Sequence, residues 1–223
     1  MITGTDTGVG KTVLACLFAR FFQEQRHPAA VLKPICSGGR ADARVLREAQ
    51  DGRLTLDEIN PWHFREGLAP RLAARKEKRE VRLAKVLDFI RRTRKRHPCV
   101  VVEGAGGLLS PLGTDFDTRD LIVALRAVPI VVCANRLGAI NQVLLVLEAL
   151  PAKYSRRAQV VLTSPERPDA SVRGNVATLA EQLGSGRVHE LPWMAEPFHA
   201  AGAVWNPRIK GMRGSVFRAT GAA

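Results

Sequence analysis

No two cysteines of this chain stand close together: Cys16, Cys36, Cys99 and Cys133 are far apart and form no C-x-x-C pair. That excludes a dense disulfide framework and the usual structural zinc clusters, and it predicts a reducing, cytoplasmic setting. No apolar run approaches the roughly 18–20 residues of a membrane span, and no basic stretch followed by an apolar one marks a secretory leader. Acids are also few, with 21 Asp+Glu against 34 Lys+Arg and a formal net charge of +13. Taken alone, that excess makes nucleic acid or an anionic membrane surface a candidate partner.

What is present reads as a globular protein. Of 223 residues, 46% are hydrophobic and 25% charged, enough for a real core. The positive excess is concentrated: between Arg71 and His97 twelve Lys+Arg meet three acids, Glu77, Glu80 and Asp88. Phe89 is the only aromatic residue in that run, while Leu83, Val86, Leu87 and Ile90 recur at helical spacing. The run therefore reads as an amphipathic helix with a solvated basic face, and binding of nucleic acid or membrane is not expected.

Apolar strands alternate with amphipathic helices along the chain. Helices are predicted over Gly10 to Gln25, Ala41 to Gln50, Arg82 to Lys95, Thr118 to Ala127, Ile140 to Leu150 and Val172 to Leu183. Strands are predicted near Ile2, then over Ala29 to Leu32, Cys99 to Val102, Pro129 to Ala134, Gln159 to Leu162 and Val188 to Leu191. Residues 51–81, broken by Asn60-Pro61 and Ala69-Pro70, read as irregular, and from Ala200 onward the pattern fades. Continuously apolar strands between helices imply a doubly wound, mostly parallel α/β sheet with helices on both faces, in one domain over 1–223. Ligands of such sheets bind at the carboxyl ends of the strands.

The chemically suggestive residues fall at those ends. GTDTGVGKT (Gly4 to Thr12) joins the first strand to the first helix. It has one residue more than the common G-x-x-x-x-G-K-[ST] loop, but the mechanics are the same. Gly8 and Gly10 let backbone N–H groups curl around a phosphate, Lys11 reaches the β/γ-phosphates, and the Thr12 hydroxyl suits Mg²⁺. Asp6 either polarises a substrate group or braces the turn. Glu103 ends the apolar strand CVVV, where a carboxylate is costly unless a cation pairs with it. Asp42 is either a second metal ligand or a helix N-cap. Cys36, a lone thiol, is expected to be packing.

With KPICSG at Lys33, Asp42, NPWHF at Asn60, LAP at Leu68, EGAGGLLSPL at Glu103, ANRLGAIN at Ala134 and ELPW at Glu190, the chain resembles the dethiobiotin synthetase family along nearly its whole length. The resemblance implies a P-loop NTPase-like fold and an ATP-dependent ring closure of 7,8-diaminononanoate with CO₂. The route passes through a carbamate and its phosphate. Lys11, Lys33 and Ser37 are implied as catalytic residues. Thr7, Gly8, Val9, Gly10, Lys11, Thr12, Thr163 and Pro192 would hold ATP, and Thr12, Asp42 and Glu103 would hold Mg²⁺. Thr7, Lys33, Ser37, Gly106, Gly138 and Asn141 would contact the substrate, the last two near a homodimer interface.

The chain departs from the family in places. Val161-Leu162-Thr163-Ser164-Pro165 stands where an Ala-Asn-Asp end of the strand is usual, and Arg136 where Lys is common. Three alternatives stand beside the synthetase. Partition ATPases carry a signature Lys where this chain has Asp6. A corrinoid-amidating enzyme needs a glutaminase domain for which 223 residues leave no room. A nucleotide-binding relative without synthetase chemistry is the third.

Overall fold

A computed structural model of the chain describes residues 1–194, 211 and 214–216. Strand β1 (Ile2–Gly4) is followed by α1 (Lys11–Glu24), β2 (Ala29–Leu32), β3 (Ile35–Cys36) and α2 (Ala41–Ala49). Then come α3 (Leu56–Ile59), β4 (Trp62–His63), α4 (Pro70–Lys76), α5 (Leu83–Arg96) and β5 (Cys99–Val102). The chain continues through α6 (Thr118–Leu125), β6 (Ile130–Ala134), α7 (Ala139–Ala149), α8 (Ala152–Ser155), β7 (Gln159–Thr163), α9 (Ser171–Leu183) and β8 (Val188–Leu191).

β1, β6, β7 and β8 pair in that order, and β2 pairs with β5, all in parallel. A parallel bridge between Ile2 and Glu103, with Gly104 N donating to Ile2 O at 2.9 Å, sets β5 beside β1. The spatial order is therefore β2-β5-β1-β6-β7-β8, with β1 at the centre. From β1 the chain first winds to one side, through β2 and β5, and then to the other. The carboxyl end of β1 is thus the switch point at which a ligand crevice opens. Neighbouring residues of β1, β6 and β7 are buried alike, so both faces of the sheet are covered.

α1 buries Leu14, Ala15, Leu17, Phe18 and Phe22. Phe22 turns inward, stacked on Phe18 at 6.1 Å. α5 buries Val86, Leu87 and Ile90, as its spacing predicted, and leaves Arg91, Arg92, Arg94 and Lys95 in solvent. β2 is an edge strand, and its exposed ladder is closed from α2. Gln50, just beyond that helix, accepts from Val31 N at 2.9 Å and donates to Val31 O at 3.0 Å.

The expectation of irregular structure over 51–81 is corrected. α3 forms because Thr55 and Glu58 make a reciprocal capping box. Pro70 is the first helical residue of α4, where its missing N–H costs nothing. β4 pairs with β3 outside the main sheet. The reading of residues beyond Ala200 falls almost wholly outside the described residues, although Val216 is buried in the same core as β1.

Candidate active site

The loop from Gly4 to Lys11 turns tightly under steric constraint. Gly8 (φ 75°) and Gly10 (φ 91°) are left-handed, a conformation L side chains rarely adopt. At Gly10 a Cβ would also lie 2.9 Å from Thr163 Cγ2, so the loop is pressed against the end of β7. The Thr163 hydroxyl donates to Val9 O at 3.0 Å and fixes that contact. α1 begins without a side-chain cap or an acid in its first turn. Its first N–H groups, with their partial positive charge, are thereby left to an anion.

Lys11 Nζ curls back to Asp6 O at 2.6 Å. Burial lowers its pKa to about 8, against the opposing pull of Glu103 and with a further push from Lys33. Asp6 braces the turn: its Oδ1 accepts from Thr7 N at 2.7 Å.

Beside this loop, three elements meet at one ammonium group. Lys33, just past β2, is 5% exposed. Its Nζ lies 2.6 Å from Glu103 Oε1 at the end of β5 and 2.5 Å from Asp42 Oδ2 in the first turn of α2. Thr12 Oγ1 donates to the same Glu103 Oε1 at 2.7 Å and lies 3.5 Å from Lys33 Nζ. Burial alone would pull the Lys33 pKa down, but the two carboxylates outweigh it and hold it above its usual value. The cost of burying Glu103 is thus met by a cation, as the sequence required.

Asp42 does not cap α2. Arg40 takes the cap position, and the Asp42 carboxylate is directed to Lys33. The three expected metal ligands, Thr12, Asp42 and Glu103, therefore come together, with Lys33 Nζ among them. Glu103 Oε2 is buried and has no hydrogen-bond partner. With the Asp42 carboxylate and the Thr12 hydroxyl it forms a hard oxygen donor set. That set fits Mg²⁺, which takes one or two carboxylates together with phosphate oxygens and water.

Around this centre the other expected residues divide. Gly106 (φ 68°) faces the phosphate loop, since a Cβ there would lie 3.9 Å from Thr7 Oγ1. Ser37 Oγ donates to Leu68 O at 2.5 Å and ties the Lys33 loop to the LAP segment. Pro192 follows β8, next to the bond from Ser164 N to Leu191 O. Gly138 (φ 90°) caps α7, and Asn141 lies exposed in its first turn, away from the Lys33 cluster by sequence and element. Cys36 is packing: its thiol points at Gly39 O and Asn60 Oδ1, and burial raises its pKa.

Two features were missed at the sequence level. Asn60 of NPWHF holds the Lys33 loop, donating to Lys33 O at 2.7 Å, and buried Asn135 and Asn175 pair at 3.0 Å behind the 135–138 turn. Asn60 and Asn135 lie in motifs, and a polar residue inside a buried stretch was the available signal. The second is a cavity of about 550 Å³ just past Thr163, lined by Ser164, Pro165, Asp169, Arg173 and Glu190 among others. Most of its lining comes from the 164–170 loop, which carries no periodic signal.

A parallel sheet with a phosphate-cradling loop at its switch point, flanked by a buried Lys and two acids, defines a P-loop nucleotide-binding protein. A family model described as an AAA domain matches residues 1–197. The ATP-dependent dethiobiotin synthetase of Anaeromyxobacter dehalogenans is 42% identical over 94% of this chain and 97% of its own. That of Bacillus subtilis is 36% identical over 82% of each. The chain belongs to the ATP-dependent dethiobiotin synthetase family. A solved nucleotide-binding protein from Archaeoglobus fulgidus, in complex with ADP, shares the fold with a TM-score of 0.50 and 14% identity, over 94% of this chain and 89% of its own.

Proposed function

We infer that this chain closes the ureido ring of dethiobiotin from 7,8-diaminononanoate, CO₂ and ATP. The observation that carries the reading is the convergence of Lys33, Thr12, Asp42 and Glu103 beside a phosphate-cradling loop. One amine of the substrate attacks CO₂ and loses a proton, giving a carbamate. A carbamate oxygen attacks the γ-phosphorus and ADP departs. The second amine attacks the carbonyl carbon, phosphate departs, and the ring is closed.

Negative charge gathers at one place in each step, so the chain's task is charge stabilisation and positioning. Lys11 and the uncapped start of α1 hold the phosphates. Lys33 stands where it can exchange a carboxylate partner for the carbamate or the transferring phosphate. In the resting site Glu103 and Asp42 outweigh burial and hold its pKa above the usual value. Ser37, Thr7 and Gly106 line the substrate side, and Thr163 and Pro192 border the nucleotide. Mg²⁺ held by Thr12, Asp42 and Glu103 would neutralise phosphate charge.

A homodimer is supported by exposed Leu137 and Leu145, which are 78% and 61% exposed and flank Asn141 at four-residue intervals. One domain over 1–223 is supported by a core that runs from Met1 to Val216. A cytoplasmic location is supported by four free cysteines, and no helix among the described residues is long and apolar enough to cross a membrane.

The test is phosphate release on addition of diaminononanoate, bicarbonate, ATP and Mg²⁺, with mass detection of dethiobiotin. Release that requires both the diamine and bicarbonate is expected. ATP turnover indifferent to the diamine would overturn the reading.

A further inference from the structure

The surplus positive charge is unevenly used. α4 and the turn after it carry Arg71, Arg75 and Lys78 at spacings of four and three, along one helical face. Together with Arg79 they form one wall of a cavity of about 410 Å³, and Gly113 and Thr114 form another.

Arg79 is already engaged. It donates to His63 O at 2.8 Å, lies 3.5 Å from Glu77 and stands 4.9 Å over the Phe64 ring. Glu80, the only acid in the lining, accepts from Arg82 Nε at 2.8 Å and from the Thr114 hydroxyl at 3.1 Å. Other cations of the basic run are paired: Lys76 with Glu66, Arg92 with Asp88 and Arg96 with Glu58. Arg71, Arg75 and Lys78 have no ion pair among the described residues and border one concavity.

Three like charges along one side of a hollow, without an ion pair among the described residues, favour the entry of an anion. Guanidinium forks suit oxyanions with two oxygens to offer. The cavity's volume falls in the small-molecule range of roughly 300–1,000 Å³. Its lining has no aromatic ring on which a nucleobase could stack. A duplex would instead need cations along a track, and the exposed Arg91, Arg94 and Lys95 belong to a different helix. We propose that this cavity binds a small polyanion with two or more clustered phosphate or carboxylate groups, held by Arg71, Arg75 and Lys78.

The cavity lies behind the segment that runs from Glu103 to Leu112. Arg71 N donates to Pro111 O at 3.2 Å, and Thr114 N donates to Val81 O at 2.9 Å. Gly113 is packed too closely for any side chain, since a Cβ would lie 2.3 Å from Val81 O. A bound polyanion therefore braces α4 against the end of that segment.

The experiment is calorimetric titration of the full chain, in saturating ADP and EDTA so that the phosphate loop is filled, with pyrophosphate and citrate as separate probes. One-to-one binding of at least one probe is expected, weakened at least tenfold in R75E/K78E and unchanged in R91E/R94E. The tighter probe identifies the class of anion. K78Q, a milder change, should weaken binding in the same direction, and thermal midpoints near the wild type show that the variants are folded. The proposal fails if neither probe binds, if both charge-reversed pairs lose binding equally, or if duplex DNA displaces the probe in a manner that requires Arg91 and Arg94.

Discussion

Glu103 joins two of the site's groups, Lys33 and Thr12, through one carboxylate. One of its oxygens serves both Lys33 and Thr12, and the other is buried without a partner. Glu103→Gln keeps the volume and removes the charge, leaving a buried ammonium with only the half-exposed Asp42. Loss of one partner of a buried pair costs about 3 kcal/mol, to be read by urea unfolding. Diamine-dependent phosphate release should fall on the order of a hundredfold. A stability unchanged within a few tenths would show that Lys33 does not rely on this carboxylate. Gly10 gives a second test at the same scale. Gly10→Ala meets both a left-handed backbone and Thr163 Cγ2 at 2.9 Å. Thr163→Ser removes that methyl and leaves the hydroxyl. The double variant should recover part of the stability lost by Gly10→Ala, and the remainder, roughly 1–2 kcal/mol, is backbone strain. Purely additive losses in the cycle would rule out the contact.

At the scale of elements, legibility followed the source of each element's stability. The long helices and buried strands carry their own periodicity, so α1, α5, α7, α9 and the six strands of the main sheet were readable to within two residues. α3, β4 and α4 were not. Four residues of helix and two of strand have no period, and they persist through a capping box, a two-residue pairing and a proline that starts a helix. Pro70 was read as a break because the same residue ends one segment and begins the next. The site shows the same division. The glycines, Lys11 and Thr12 are local in sequence and were legible as a unit. The enclosure of Lys33 between Asp42 and Glu103 draws on β2, α2 and β5, so it emerges only from the sheet order. Gln50 also acts across elements, closing the edge of β2 from beyond α2. Gln50→Leu fills the same space but strands one buried donor and one buried acceptor on Val31. A loss of about 3 kcal/mol in chemical denaturation is expected; a loss under 1 kcal/mol would mean that water takes over the edge.

At the scale of the molecule, two surfaces stand out among the described residues. One is apolar, around Leu137 and Leu145, and Leu145→Glu should convert the proposed homodimer to monomers in analytical ultracentrifugation, with the thermal midpoint of the monomer retained. An unchanged sedimentation coefficient would remove α7 from the interface. The other is basic, and it changes the meaning of the +13 charge. The surplus divides into a solvated helix, α5, and a hollow beside α4 bordered by Arg71, Arg75 and Lys78. The position of Lys33 has a further consequence. Because two built-in ammonium groups, Lys33 on the carboxylates and Lys11 nearby, offset the negative charges of Glu103 and Asp42, the resting fold does not need a divalent ion to balance its charge. Catalysis and folding should therefore separate cleanly under chelation. EDTA is expected to abolish phosphate release while the unfolding midpoint stays within about a degree, and a large fall in that midpoint would show that the metal is structural. With magnesium as the proposed cofactor, a protein arranged in this way would remain folded and ready through a shortage of that ion, idle but undamaged.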